Sequence, residues 1–489
     1  MNTSVTDLNT AADAAHAAFL LGRTADLNTR AAWLEAIAAE LEADAGVLVP
    51  LAARETHLGV PRLQGELKRT AFQLRLFASE VRSGEHLDAT IDHADPDWGM
   101  GPRPDLRRLN IPLGVVGVFG ASNFPFAFSV MGGDSASALA AGCSVVYKAH
   151  EGHPELSVRT AESVQRGLRA VGAPEGLFAL VTGRAAAQAL VDHPLVKAIG
   201  FTGSTAGGQA LAERASSRPE PIPFYGELGG INAVFVTEKA WSVRREEILT
   251  GYAASLSLGM GQFCTKPGLL FVPIGAKPEA AEVLGQAFVD FEPVPLLTER
   301  LHEGYTNAVN NVAAQAGVEL LVEGTFDSAP RPTVLYATSE SVFDQPDLLR
   351  QEMFGPASLI IEYRTDSELA AMASLLEGQL TTTLQAEEDD DVSELAGLLA
   401  DISGRVLWNG WPTGVTVSYA QHHGGPYPAT TSTTTSVGTA AIRRFMRPVA
   451  YQDFPGGRLP EPLQDSNPWS VPQRIDGDWA RPNSEAVAR

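Results

Sequence analysis

Residues 114–150 read GVVGVFGASNFPFAFSVMGGDSASALAAGCSVVYKAH. Two short apolar runs, 115–119 and 144–147, flank an alanine-rich segment, 127–141, whose composition predicts a helix. A strand, a helix and a second strand in this order form the unit that connects neighbouring parallel strands. The stretch therefore predicts a parallel sheet covered by helices.

The same alternation continues to residue 215. Further strands are predicted at 177–181 and 196–201, and further helices at 154–170, 185–191 and 205–215. Alternating units of this kind are typical of a doubly wound, Rossmann-type α/β fold, which binds ligands at the carboxyl ends of its strands. The architecture resembles a nucleotide-binding one, but a fold does not by itself assign a function.

The rest of the chain is organised around this sheet. At 489 residues it is too long for one hydrophobic core, so we expect two domains. Residues 10–84 carry Leu34, Ile37, Leu41 and Val47 at helical spacing, which predicts amphipathic helices that serve packing rather than chemistry.

Three later segments complete the organisation. Residues 105–111 alternate like an exposed strand, which predicts an arm. Predicted strands at 233–236, 269–272 and 358–361 indicate a second α/β domain that extends from about 230 to 420. The proline-rich tail from 424 predicts an ordered strap.

Composition excludes several classes of function. A net charge of −22 repels nucleic acids and anionic membranes, and no apolar run is long enough to span a bilayer. Arg103, Arg107 and Arg108 form the nearest basic cluster, which we interpret as a solvated or interface loop rather than an anion site. The polar N-terminus predicts no signal peptide and hence a cytoplasmic protein.

The two cysteines, Cys143 and Cys264, form no disulfide framework and lack metal-ligand spacing, so no metal site is expected. Cys264, in the sequence GQFCT, is a candidate nucleophile. Asn123, after the first predicted strand, could stabilise an oxyanion, and Glu227, among glycines, could act as a general base. Taken singly, each has a plainer interpretation: a buried thiol, a turn residue and a solvated carboxylate.

Candidate cofactor residues lie in the same loops. Gly203 and Ser204 open a predicted helix where a pyrophosphate could dock, although a simple helix cap has the same pattern. Lys148 and Glu151 follow a predicted strand and could bind the hydroxyls of a ribose or form an exposed ion pair. Glu352, in the sequence EMFGP, has the same two interpretations.

Six motifs occur in order, at residues 122–125, 148, 201–205, 227–230, 261–264 and 352–356. Together they resemble the aldehyde dehydrogenase superfamily over nearly the whole chain. Residues 121–125, 223–229, 262–265 and 423–430 resemble more narrowly the branch that contains 2,5-dioxopentanoate dehydrogenases and a bacterial fatty aldehyde dehydrogenase.

The resemblance implies an enzyme that oxidises an aldehyde, foremost 2,5-dioxopentanoate to 2-oxoglutarate, through a thioester on Cys264. It assigns the oxyanion hole to Asn123 and the general base to Glu227, whose pKa we expect burial to raise toward neutrality. NAD or NADP is the implied cofactor, bound by Lys148, Glu151, Gly203, Ser204, Glu352 and Phe354. Glu151 would repel a 2′-phosphate, which favours NAD.

The resemblance also implies a homodimer or homotetramer. Its domains would be a dinucleotide-binding domain of residues 1–98 and 113–227, a catalytic domain of 228–423, and an oligomerisation arm and strap of 99–112 and 424–489. Oxidation of longer aldehydes, transfer of the acyl group to coenzyme A and a non-catalytic relative stay open. The spacing does not show which arginine would hold an acidic substrate, and Gln421, His422 and His423 could line the pocket or only form a turn.

Overall fold

The computed structural model describes residues 2–481, so residue 1 of the predicted first domain and residues 482–489 of the predicted strap lie outside the described part. Within it the helices are α1 (Val5–Gly22), α2 (Leu27–Ala43), α3 (Ala45–Thr56), α4 (Val60–Ser83), α5 (Gly133–Ala141), α6 (Pro154–Ala170), α7 (Arg184–Asp192), α8 (Thr205–Ser216), α9 (Glu238–Ser257), α10 (Lys277–Ala287), α11 (Glu299–Ala313), α12 (Ser339–Asp344), α13 (Asp366–Ala373) and α14 (Ser393–Ile402). No helix within residues 2–481 is long and apolar enough to cross a bilayer.

The strands belong to three sheets. They are β1 (Ala89–Asp92), β2 (Leu106–Pro112), β3 (Val115–Phe119), β4 (Ser144–Lys148), β5 (Phe178–Val181), β6 (Val196–Thr202), β7 (Phe224–Glu227), β8 (Ala233–Val236), β9 (Leu269–Pro273), β10 (Glu319–Val322), β11 (Thr333–Thr338), β12 (Ala357–Tyr363), β13 (Gln379–Gln385), β14 (Ser403–Trp408), β15 (Met446–Gln452), β16 (Gln473–Ile475) and β17 (Asp478–Ala480).

The first sheet has the order β5-β4-β3-β6-β7, and all its strands are parallel. Every residue of β3 is buried, as expected for a strand whose two faces are both covered. The chain adds β4 and β5 on one side of β3 and then adds β6 and β7 on the other side. The carboxyl ends of β3 and β6 therefore form a switch point where a ligand can bind. The predicted doubly wound α/β fold is confirmed.

The helix predicted at 127–141 is wrong in its first part, because α5 begins only at Gly133. Residues 124–132 instead form a buried turn. The Glu66 carboxylate accepts the backbone N–H groups of Phe126 and Ala127, and a Cβ at Gly132 would lie 2.5 Å from the Ala127 carbonyl oxygen. The hydrogen bonds of this turn replace those of a helix.

The N-terminal helices pack beneath the first sheet. Leu34, Ile37 and Leu41 on α2 are fully buried, as predicted. Val47, predicted on the same face, is half-exposed because α2 ends at Ala43 and α3 presents a different face.

The second sheet has the order β10-β11-β12-β9-β8-β13-β14, with only β10 antiparallel to its neighbour. Its strands fall between residues 233 and 408, the region predicted as a second α/β unit. The division of the chain at 227/228 and at 423/424 stays a prediction.

The third sheet, β15-β2-β1-β16-β17, joins the predicted arm to the C-terminal part of the chain. Here the cluster of arginines is neutralised by carboxylates. Arg107 pairs with Asp105 and Asp465, while Arg103 and Arg108 each pair with an aspartate of the same sheet region. These arginines therefore stabilise the sheet and do not form an anion site.

Candidate active site

Three distant segments meet at the carboxyl end of the first sheet. Glu227 ends β7, Cys264 lies in the loop before β9, and His423 and Ser436 come from the segment after β14. His423 Nε2 lies 2.8 Å from Glu227 Oε1 and 3.7 Å from Cys264 Sγ. Ser436 Oγ donates to Glu227 Oε2 over 2.7 Å. The candidate nucleophile and base thus share one compact, hydrogen-bonded cluster.

The partners of Glu227 are delivered by residues 423–436. This segment crosses the end of β7, where the Leu228 N–H donates to the Ala429 carbonyl and Glu227 pairs with Thr430. The Ser436 N–H in turn donates to the His423 carbonyl, which fixes the two partners relative to each other. The first part of the predicted strap therefore contributes directly to the site.

Sequence reasoning placed His423 only among possible lining residues and did not identify Ser436. The histidine is buried, its Nε2 faces Glu227, and its Nδ1 makes no hydrogen bond within the described residues. In either charge state its Nε2 proton points at the carboxylate. The sequence contains no signal for this contact, because His423 and Glu227 are 196 positions apart.

A constrained loop positions Cys264. Gly259, Met260 and Gly261 all have positive φ, so the chain turns sharply just before the thiol. A Cβ at Gly261 would lie 2.2 Å from the Gly355 carbonyl oxygen, so only glycine fits there. Asn232 Nδ2 then donates to the Cys264 carbonyl over 2.7 Å and holds the backbone of the nucleophile.

Asn123 lies beside this loop. Its Nδ2 donates to the Gln262 carbonyl over 2.9 Å, which leaves a second N–H for another acceptor. The Cys264 N–H makes no hydrogen bond to any residue from 2 to 481. Arg62 donates to the Asn123 carbonyl and lies against the rings of Phe124 and Phe263, 5.1 and 4.7 Å from their centroids. The two loops are thereby held together.

The charge state of Glu227 differs from our expectation. Burial raises the pKa of its carboxyl, but attraction and hydrogen bonding by His423, with further hydrogen bonds from Ser436 and Cys264, outweigh burial and hold the pKa below its usual value. The predicted rise toward neutrality is therefore wrong. Sequence showed the apolar surroundings of Glu227 but not the three donors around it.

The thiol is shifted in the opposite direction. Burial and the carboxylates of Glu227 and Glu352 raise the pKa of Cys264 well above its usual value. The resting site consequently holds a protonated thiol next to an ionised carboxylate. This arrangement can pass the thiol proton to Glu227 when an electrophile arrives.

The predicted cofactor residues surround the same sheet edge. Ser204 caps α8 by accepting from the Gly207 N–H, and the Gly203 N–H donates to the Glu227 carbonyl. Lys148 ends β4 and lies 3.9 Å from Glu151, whose side chain is exposed. The exposed N-terminus of α8, after β6, and the lysine at the end of β4, with β3 between these two strands, fit the phosphates and a ribose of a dinucleotide.

Glu352 lies near the N-terminus of α8, and Phe354 follows two residues later in the chain. A Cβ at Gly229 would be 2.5 Å from Glu352 Oε2 and 3.0 Å from Thr205 Oγ1, which places Glu352 at the start of that helix. Burial raises the pKa of Glu352 to about 7 against the attraction of Lys266. Phe354 is half-buried in the turn that follows.

Glu227, Cys264 and His423 could also hold a metal ion, since their ligand atoms lie within 4.8 Å of one another. This grouping was not predicted from the sequence. The hydrogen bonds within the cluster account for its geometry without an ion.

Comparison with known proteins identifies the family. Residues 1–447 match the model of the aldehyde dehydrogenase family. The chain belongs to this family. As an aldehyde dehydrogenase family member it is an enzyme that uses NAD(P).

Curated aldehyde dehydrogenases of high similarity span nearly the whole chain. An "alpha-ketoglutaric semialdehyde dehydrogenase 2" from Azospirillum brasilense is 46% identical over 96% of this chain and 91% of its own. An "alpha-ketoglutaric semialdehyde dehydrogenase" from Acinetobacter baylyi is 41% identical with the same two coverages.

Solved structures confirm the aldehyde dehydrogenase fold. A putative aldehyde dehydrogenase from Burkholderia cenocepacia matches with a TM-score of 0.77 and 24% identity over 94% of this chain and 92% of its own. PnpE in complex with nicotinamide adenine dinucleotide matches with a TM-score of 0.78 and 23% identity over 92% of this chain and 90% of its own.

Proposed function

We propose that the enzyme oxidises 2,5-dioxopentanoate to 2-oxoglutarate with NAD(P) through a thioester on Cys264. The observation that carries the proposal is the cluster of Cys264, Glu227 and His423 at the carboxyl end of the first sheet. Two relatives at 46% and 41% identity, named as alpha-ketoglutaric semialdehyde dehydrogenases, supply the substrate.

In the first step Cys264 Sγ bonds to the aldehyde carbon and its proton passes to Glu227. The carbonyl oxygen becomes an oxyanion, for which the second N–H of Asn123 and the N–H of Cys264 are available. Both donors belong to loops joined by Arg62, so they are in place before charge develops. A nicotinamide cofactor, when bound, would supply the hydride acceptor that turns this adduct on Cys264 into a thioester.

Hydrolysis of the thioester needs an activated water. Glu227 is suited to this task because its lowered pKa keeps it ionised at neutral pH once its proton has returned to solvent. Water gives a proton to the carboxylate, its oxygen attacks the thioester carbon, and the C–S bond breaks. The proton then returns to sulfur. A base at this position favours water over coenzyme A as the acyl acceptor.

The cofactor residues are proposed as follows. Lys148 and Glu151 bind the adenosine ribose. Gly203 and Ser204 bind the pyrophosphate. Glu352 binds the nicotinamide ribose, and Phe354 lies near it. The exposed carboxylate of Glu151 supports a preference for NAD, because a 2′-phosphate at this place would be repelled.

The function is tested by the rates of NADH and NADPH formation with 2,5-dioxopentanoate, succinic semialdehyde and hexanal. We expect the highest kcat/KM with 2,5-dioxopentanoate and NAD. A higher kcat/KM with hexanal would overturn the substrate, and a product found only when coenzyme A is added would overturn hydrolysis. No reduction of either cofactor with any aldehyde would indicate a non-catalytic relative.

We propose that His423 positions and tunes Glu227, which predicts a shifted pH profile for His423→Gln. Without the imidazole, burial dominates and the pKa of Glu227 rises, so the acid limb of kcat/KM moves to higher pH. The amide can still donate a hydrogen bond, so we expect a fall of only about 10-fold at the optimum.

The matched control is His422→Gln, since His422 makes no hydrogen bond to Glu227 or Cys264 within residues 2–481. We expect its profile to follow the wild type. An unchanged acid limb in His423→Gln would refute the tuning role.

We further propose that the chain forms a homodimer or homotetramer. The proposed interface is the oligomerisation arm and strap, residues 99–112 and 424–489. Trp98, Met100 and Trp479 are exposed on or beside the third sheet, which supports an interface there. Both cysteines are free thiols, which supports a reducing compartment such as the cytoplasm.

Light scattering should therefore report at least two 51.9-kDa chains per particle. The double change Trp98→Glu and Met100→Glu should lower the mass, because it adds charge to an apolar interface. Leu21→Glu, at an exposed position on α1, should leave it unchanged. A single-chain mass for the unmodified protein would be inconsistent with the assembly.

A further inference from the structure

A narrow cavity opens beside the candidate nucleophile. It is lined by Arg69, Phe124, Phe128, Cys264, Thr265, Gly414 and Val415. The aromatic rings and Val415 make most of this wall apolar, and Arg69 is the one formally cationic side chain among these lining residues.

Arg69 places a guanidinium at this wall that Glu66 attracts but that forms no ion pair within residues 2–481. Its Nε and Nη2 both donate to the Val415 carbonyl, at 3.2 and 3.1 Å, and its guanidinium lies 5.5 Å from the centre of the Phe128 ring. Nη1 is buried and makes no hydrogen bond within residues 2–481. No carboxylate of the described chain lies within 4.0 Å of Arg69.

The nearest acidic side chain on the same helix does not serve as a partner. Glu66 lies one turn earlier on α4, and its Oε1 accepts from the Phe126 and Ala127 N–H groups. It is engaged in shaping the turn after β3 and forms no ion pair with Arg69. Glu66 attracts Arg69 but leaves its buried Nη1 without an acceptor, so an anion in the cavity would supply the hydrogen bond that this donor lacks.

A second arginine supports the same wall. Arg405 donates to the carbonyls of Gly414 and Pro412, and it also lacks a carboxylate within 4.0 Å in the described residues. The chain has 58 acidic and only 36 basic residues, so unpaired arginines do not reflect a shortage of acids. Some buried guanidinium groups are paired, as Arg444 is with Asp134 and Arg107 with two aspartates. Within residues 2–481, the buried Arg30 and Arg218 donate to backbone carbonyls only.

We infer that Arg69 binds the distal carboxylate of the aldehyde substrate and makes the enzyme selective for aldehydes that carry one. This inference rests on the proposed function and deepens it. The free Nη1 donor offers a charge-assisted hydrogen bond, while the Val415 carbonyl holds the guanidinium in place. An aldehyde without a carboxylate would leave the Nη1 donor without an acceptor, as it is in the free enzyme.

A different role for Arg69 predicts a different result. If the guanidinium served only to stabilise the Cys264 thiolate, its loss would slow the oxidation of every aldehyde equally. If it served only to hold the 412–415 loop, its loss would lower the thermal stability of the enzyme and the rates of oxidation of aldehydes with and without a carboxylate together. A comparison of two substrates of equal length separates these roles from carboxylate binding.

The experiment compares kcat/KM for 2,5-dioxopentanoate and pentanal in the full-length enzyme and in Arg69→Gln. We expect Arg69→Gln to lose roughly 100-fold with 2,5-dioxopentanoate, mainly through KM, and no more than about threefold with pentanal. Arg69→Lys keeps the positive charge but lacks the planar guanidinium with its paired N–H donors. Its kcat/KM should fall about 10-fold with 2,5-dioxopentanoate and stay unchanged with pentanal. Arg82→Gln, at an exposed position on α4, is the control and should match the wild type.

Inhibition provides an independent measurement. Glutarate, which has a carboxylate but no aldehyde, should compete with 2,5-dioxopentanoate in the wild type and bind roughly 100-fold more weakly to Arg69→Gln. Equal losses with both aldehydes, or unchanged selectivity and glutarate inhibition in a folded Arg69→Gln, would overturn the inference. A wild type that itself prefers pentanal would instead overturn the proposed substrate.

Discussion

Cys264→Ala is expected to lower the rate of aldehyde oxidation by about 10⁴-fold or more. Without sulfur no covalent adduct can form, and the remaining donors and base have no intermediate on which to act. The surrounding loop is fixed by Asn232 and by the positive φ angles of residues 259–261, so the variant should fold. Stopped-flow measurement of NAD(P)H and a thermal unfolding curve test both expectations.

Cys143→Ala is the matched control. Cys143 is fully buried, and burial raises the pKa of its thiol to about 11, so it is no nucleophile. Its loss should cost about 1–2 kcal/mol of stability through a small cavity and leave kcat within about twofold. Aldehyde oxidation by Cys264→Ala at the parent rate would disprove the thioester mechanism.

Glu227→Gln is expected to lower steady-state turnover by roughly 10³-fold while the acyl-enzyme accumulates. Glutamine cannot accept the proton of the thiol or of water, so both half-reactions slow, and His423 is left as the remaining basic side chain of the cluster. Intact-protein mass spectrometry after a single turnover should show an adduct on Cys264. In the wild type the adduct should be hydrolysed before detection.

Ser436→Ala gives a graded comparison. It removes one of the donors that lower the pKa of Glu227 but leaves the carboxylate, so we expect a loss of only about 10-fold and no stable adduct. If Glu227→Gln turned over as fast as Ser436→Ala, another group would have to activate the water.

Much of the fold was accessible from sequence because the decisive strands are buried on both faces. The runs at 115–119 and 144–147 became β3 and β4, and 154–170 became α6. The strand β7 was not predicted, since its four residues contain a glycine and only two aromatic side chains. Its position at the edge of the sheet is nevertheless what places Glu227.

The site was predicted less completely because its contacts are long-range. Cys264, Asn123 and Glu227 each occur in short motifs, but His423 and Ser436 become partners only through the path of residues 423–436. Residues 10–84 were interpreted as packing alone, yet α4 brings Arg62 and Arg69 to the site. That interpretation is wrong because periodicity identifies the buried face of a helix but not what lies opposite its polar positions.

The contact between Gly261 and Gly355 has a mechanical consequence. The turn before the nucleophile and the turn after Glu352 touch backbone to backbone, with no room for even a methyl group. Because the contact is between backbone atoms, no side-chain rotation can relieve it. A displacement of either turn therefore displaces the other. A ligand that shifted the turn after Glu352, the residue proposed to bind the nicotinamide ribose, would therefore also shift the loop that holds Cys264 Sγ.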